Sequence, residues 1–176
     1  MGDLYSSIVG IDMVSSLVIE SIQEKGKVLV FGVGGNASTA IHFSAELSGK
    51  YEQFEKPLPC VCLSENPSIL TAITNDFGWD YVFSRQISAL AKKGDTVLAF
   101  SISGKARYLD NAFDEAKKIG SKTVLINGAV VWPVPKNVDV LLVKDSSNRK
   151  GSSTPEVQEW QLQVVHQLCE RIKKVF

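Results

Sequence analysis

The sequence predicts an α/β fold: a three-layer sandwich of the flavodoxin-like kind, in which a five-stranded parallel sheet carries helices on both faces. Three observations lead there. Five short runs of Val, Ile, Leu and Phe recur along the chain, helical segments separate them, and the runs are continuously apolar rather than alternating. Strands covered on both faces need that continuity. With 176 residues and 44% apolar content, the chain is long enough for one well-buried domain and short for two, so residues 1–176 read as a single domain.

A helix over 10–24 precedes the first strand, KVLVFGV at 27–33, and a glycine turn leads into a helix over 36–48. The second strand is PCVCL at 59–63. The helix over 67–74 opens at Asn66-Pro67, where proline at the first helical position gives up an N–H that would have no partner. The next helix, 78–92, closes on Lys92-Lys93-Gly94, with cations and a glycine where a helix C-terminus favours them. DTVLAFSI at 95–102 is the third strand, and the helix over 107–119 stops at Gly120. KTVLI at 122–126 and VDVLLV at 138–143 complete the sheet. One polar loop, SSNRKGSST at 146–154, enters a last long helix from Pro155 to about Val175.

Composition narrows the function. Lys plus Arg equals Asp plus Glu at 19 each, and no basic run exceeds Lys92-Lys93, which argues against nucleic acid and anionic membranes as partners. No stretch approaches the roughly 18 apolar residues that span a bilayer, and the first residues lack a basic leader, so a cytoplasmic location is expected. Cys60, Cys62 and Cys169 form no C-x-x-C pair and read as small core residues of a reducing compartment.

Ligands of open α/β sheets sit beyond the carboxyl ends of the strands. Two loops there are built for an anion: Gly32-Val33-Gly34-Gly35-Asn36-Ala37-Ser38 after the first strand, and Ser101-Ile102-Ser103-Gly104-Lys105 after the third. Each opens toward a helix, so free N–H groups and the positive end of the helix dipole point at one place. A P-loop is excluded, because no G-x-x-x-x-G-K-[ST] occurs. Gly32-x-Gly34-x-x-Ala37 satisfies a loose dinucleotide fingerprint, yet that reading explains neither the serine loop nor the histidines.

The chain has two histidines. His42 and Glu46, four apart, share a helix face. Gln158 and His166 stand eight apart on the last helix, two turns with about 80 degrees of drift, near enough to converge on one cleft. Two imidazoles, a carboxylate and an amide oxygen suit a divalent metal such as zinc. They serve equally as general acid and base, and a surface His–Glu pair with a separate core histidine satisfies the same spacing.

The blocks GVGGNASTAIHFSAELSGKYE, KPLPCVCL, TAITNDFGWDYVFSRQ, KKGDTVLAFSISG and QEWQLQVVHQLCE, in this order and spacing, resemble the sugar isomerase (SIS) fold and within it the phosphoheptose isomerase family. The resemblance implies an aldose–ketose isomerase acting on sedoheptulose 7-phosphate or a related phosphosugar through an enediol. It implies a homo-oligomer, dimer or tetramer, with sites near subunit interfaces. It places metal ligands, zinc foremost, at His42, Glu46, Gln158 and His166, with Glu46 and His166 also the catalytic base and acid. It places phosphate and sugar contacts at Gly34, Gly35, Asn75, Asp76, Ser101, Ser103 and Gln158, and sets Lys50 where the family has an arginine, which keeps the charge without the bidentate fork.

The chain departs from the family inside the pocket. Val33 and Asn36 stand where the family has an amide and a hydroxyl, Ile102 and Ala106 replace hydroxyls, and Lys105 brings a new charge beside the serine loop. Pro155 replaces an acid, Gln161 a histidine, and Trp132-Pro133-Val134-Pro135 a glycine-rich turn and short helix. Set against the resemblance, the start of the chain is expected to be short of about one helix that in the family helps subunits pack. A site built to hydrogen-bond particular hydroxyls changes selectivity when those donors go. The alternative from another class is a non-catalytic SIS module that binds phosphosugars or a protein partner as a regulator.

Overall fold

The computed structural model describes residues 2–52, 56–129, 136–145 and 152–176. Its elements follow the predicted alternation: α1 (Gly2–Gln23), β1 (Val28–Phe31), α2 (Gly35–Ser48), β2 (Cys60–Cys62), α3 (Pro67–Phe77), a 3-10 turn at Trp79–Tyr81, α4 (Val82–Leu90), β3 (Thr96–Phe100), α5 (Arg107–Ile119), β4 (Lys122–Ala129), β5 (Val140–Asp145) and α6 (Thr154–Lys173). The Trp132–Pro135 segment and most of the polar loop lie outside the described residues.

All strand pairs are parallel, in the order β2-β1-β3-β4-β5. The strand order reverses between β1 and β3, so the loops leaving those two strands diverge to opposite faces and open a crevice between them. Those loops are the glycine loop and the serine loop.

Alternation along each strand decides which helices it meets. Val28, Val30, Leu98, Phe100, Val124 and Ile126 pack with residues of α1, α2 and α6. Leu29, Phe31, Val97, Ala99 and Leu125 face α4 and α5, with Leu70 and Ile73 of α3 at the margin. Both faces are therefore dry, and each fully buried Leu or Phe adds roughly 1.5–3 kcal/mol of hydrophobic stabilisation.

Several helix boundaries differ from expectation: α1 begins at Gly2 rather than at residue 10, and α4 stops at Leu90 rather than at 92. The predicted helix over 78–92 breaks at its start, because Gly78 adopts φ 92 and the chain makes a 3-10 turn before α4. Glycine carries that left-handed turn at no steric cost, which the lysines at the far end gave no sign of. The helix opening at Asn66-Pro67 runs three residues further than predicted, to Phe77, with the Asn66 side chain accepting from the N–H groups of Ser68 and Ile69.

Candidate active site

The glycine loop is fixed from two sides. The Ser64 hydroxyl at the end of β2 donates to the Gly32 carbonyl at 2.8 Å and accepts from the Gly32 N–H at 3.1 Å. Gly32 also lies under the first turn of α2, so tightly that a Cβ there would stand 2.3 Å from the Asn36 carbonyl oxygen. Gly34 caps α2 at φ 62, with no side chain capping the helix and no acid in its first turn. The positive end of α2 thus stays open at the crevice.

The serine loop is held as firmly. The Ser101 N–H donates to the Ile126 carbonyl, and the Ser101 hydroxyl accepts from the Gly104 N–H at 2.9 Å. Ser103 and Lys105 are exposed beyond this anchor, the Lys105 N–H lying 3.4 Å from the Ser103 hydroxyl oxygen.

Helices α2 and α6 run side by side in the same direction, since Gln158 meets Gly35 and Asn36 while His166, further along, meets His42. This brings the two histidines together across 124 residues of sequence, with their Nε2 atoms 3.3 Å apart and ring centroids 5.4 Å apart. Glu46 Oε1 lies 3.0 Å from His42 Nε2 and 3.8 Å from His166 Nε2. A tetrahedral zinc ion with ligands about 2.0–2.1 Å away spaces them about 3.3 Å apart, which falls among these separations. The three ligand atoms all lie within 4.8 Å of one another. Glu46 Oε2 is buried and, among the described residues, has no hydrogen-bond partner, so this oxygen is left unsatisfied. Two imidazoles and a carboxylate fit a divalent ion and leave a coordination position for substrate, as catalytic zinc sites do.

Gln158 donates to the Asn36 side-chain oxygen at 3.4 Å and presses so close to Gly35 that a Cβ there would meet its amide nitrogen at 2.2 Å. The amide is therefore placed at the mouth of the glycine loop. Asn75 and Asp76, exposed on α3, bond to each other at 2.9 Å. Lys50 is exposed just past α2, and Val33 and Ile102 are half-buried in their loops.

Several neighbours escaped the sequence reading. The Tyr51 ring lies 6.2 Å from His166, and burial, then Glu52 and Glu46, raise its hydroxyl above the ordinary tyrosine range, so it remains a donor. Burial and then the Glu46 charge push the Cys169 thiol upward, so a neutral S–H backs the carboxylate. Ser64 belongs to this group as well. The i,i+3 step from His166 to Cys169 was a usable signal; nothing in the sequence marked Ser64.

A parallel five-stranded sheet, two loops with open N–H groups at its switch point and a His–Glu–His group on paired helices that could hold a metal are the features of a SIS-domain protein. The SIS domain family pattern matches residues 7–128. Among curated proteins, the chain is 38% identical over 160 residues to the phosphoheptose isomerase of Helicobacter pylori (strain P12), covering 91% of this chain and 81% of that one. It is 37% identical over 166 residues to the phosphoheptose isomerase of Campylobacter concisus (strain 13826), covering 94% and 85%. The solved structure of a phosphoheptose isomerase from Neisseria gonorrhoeae superposes with a TM-score of 0.84 at 29% identity, over 97% of this chain and 90% of that one. The chain belongs to the phosphoheptose isomerase family.

Proposed function

We propose that this protein interconverts sedoheptulose 7-phosphate and its aldose isomer. The observation that carries the reading is the convergence of His42, Glu46 and His166 within 4.8 Å, beside two anion loops, in a chain of this family. The glycine and serine loops bind the phosphate end through open N–H groups and the Ser103 hydroxyl, with Lys105 adding charge where the family's donors are missing; Lys50, past the far end of α2, does not reach these loops. Asn36, Val33, Ile102, Asn75, Asp76 and Gln158 border the sugar.

Moving the carbonyl from C2 to C1 takes four proton transfers. A base removes a proton from C1 and an acid protonates O2, giving a 1,2-enediol; O1 then loses its proton and C2 gains one. Glu46 Oε1 is the base, because it faces the crevice while Oε2 is buried, and His166 manages the oxygen protons. His42, Glu46, His166 and, on the family pattern, Gln158 would hold a zinc ion, which when bound supplies Lewis-acid stabilisation of charge developing on the substrate oxygens. The ion and the proton compete for the same carboxylate, which makes Glu46 the residue to test.

The reading extends to assembly and location. Ile69, Phe77, Trp79 and Tyr81 leave large apolar surfaces exposed around α3, a helix with no buried residue, and such a face fits a homo-oligomer interface. Three free thiols suit the cytoplasm. No helix among the described residues is long and apolar enough to cross a membrane.

The test is a discontinuous assay of sedoheptulose 7-phosphate turnover with metal analysis. Glu46→Gln loses about 10²–10⁴-fold in rate, and His42→Ala loses bound metal. Wild-type protein that binds phosphosugar without turning it over replaces this reading with the regulator module.

A further inference from the structure

We propose that Gln161 is a positioning residue that locks the serine loop to the helix carrying the acid–base and chelating groups. The proposal rests on the reading of the site as one for a phosphosugar. Gln161 is fully buried on α6, one turn after Gln158 and five residues before His166. Its amide nitrogen donates to the Ser101 carbonyl at 2.8 Å and to the Ile126 carbonyl at 3.1 Å. The Ile126 carbonyl also accepts from the Ser101 N–H at 3.0 Å. One amide therefore joins three elements: α6, the middle of β4 and the first residue of the serine loop.

Packing alone does not account for this residue. Its other atom, Oε1, is buried without a hydrogen-bond partner among the described residues, which costs free energy that a leucine of similar volume would not. The price is offset where the Ser101 carbonyl is held. From that point the loop is determined residue by residue: the Gly128 N–H donates to the Ile102 carbonyl, and Gly104 closes onto the Ser101 hydroxyl. A Cβ on Gly128 would stand 2.8 Å from the Ile102 oxygen, so the loop has no slack on that side. Ser103 is presented to the crevice at a distance from His166 that Gln161 fixes, because both depend on α6.

Gln161→Leu tests this. The substitution leaves the Ile126 carbonyl with its Ser101 donor, removes the orphaned Oε1 and takes the donor from the Ser101 carbonyl; the last two changes oppose each other, so the thermal midpoint moves by no more than a few degrees and the metal content stays near wild type. Inorganic phosphate, titrated by calorimetry, binds about tenfold more weakly, and the KM for sedoheptulose 7-phosphate rises by a similar factor while kcat changes less than about threefold. Gln161→His keeps one donor and restores part of the phosphate affinity. Unchanged phosphate affinity in Gln161→Leu, or a lowered midpoint with unchanged KM, overturns the proposal. Phosphate binding needs no turnover, so wild-type protein that binds phosphate without isomerising the sugar refutes the isomerase reading while leaving Gln161 to be judged by the calorimetry. Wild-type protein that binds no phosphate overturns both.

Discussion

Two glycines three residues apart in the glycine loop respond oppositely to the same methyl group. A Cβ on Gly32 meets the backbone of Asn36, at 2.3 Å from its oxygen and 2.5 Å from its carbonyl carbon. Backbone inside the first turn of α2 cannot yield without moving the helix, so Gly32→Ala forces an overpacking rearrangement costing about 3 kcal/mol. For a chain of this size each kcal/mol moves the thermal midpoint about 2–4 °C, which puts the loss at about 6–12 °C. A Cβ on Gly35 meets the far end of the Gln158 side chain, which can swing away. Gly35→Ala therefore stays within about 1 kcal/mol of wild type, helped by alanine's better helix propensity. Its effect falls on function: the displaced amide leaves the mouth of the site, and turnover of sedoheptulose 7-phosphate drops up to about 100-fold, as small misplacements at reacting centres do. Calorimetric melting of both variants beside the turnover assay makes the comparison. A Gly32→Ala protein melting with wild type, or a Gly35→Ala protein with full activity, refutes the packing argument.

Asp95 is fully buried and accepts from the Lys27 ammonium and the N–H groups of Lys27 and Lys92, so Asp95→Ala, which strands a cation and two N–H groups, costs about 3–5 kcal/mol in urea unfolding. Burial pushes the Asp139 carboxyl up, but hydrogen bonds from Lys117 and Thr123 outweigh it and leave the group below its ordinary value of 3.8. Its stabilising contribution is present above that value and is lost as pH falls through the lower folded one; Asp139→Asn flattens the stability profile below about pH 4, and an unchanged profile counts against the assignment. Cys60 is partly exposed as a residue, yet burial of its thiol raises it from 9.0 to about 12, and Cys169 shifts the same way. That contribution is complete below pH 9 and fades as pH climbs toward 12; at pH 8 iodoacetamide labels these thiols on unfolding, and rapid labelling of native protein contradicts the burial.

Much of the fold was legible because the strands are covered on both faces. Continuous apolar runs such as TVLAF leave no reading except a buried strand between helices, and the Gly120 and Pro67 signals fixed helix ends to within a residue. Gly78 shows the limit: a positive φ at a glycine depends on how α3 and α4 pack, which no local pattern records. In the site, four-residue spacing paired His42 with Glu46, but spacing on α6 could not tell whether His166 pointed into a core or across to α2. That is settled by the helices running parallel, a tertiary fact. Ser64, and the role of Gln161, which the sequence marked only as a replaced histidine, were illegible for the same reason, since each matters through a backbone group at the end of a distant strand.

The His42, Glu46 and His166 group joins residues 124 apart, and its second histidine sits on α6, made long after α2. At about 5–20 residues per second, His166 is made about 6–25 seconds after His42. Until then α2 offers an ion one imidazole and one carboxylate, a weak bidentate grip. A metal held by these three residues would therefore be captured only after α6 has been made and has docked on α2.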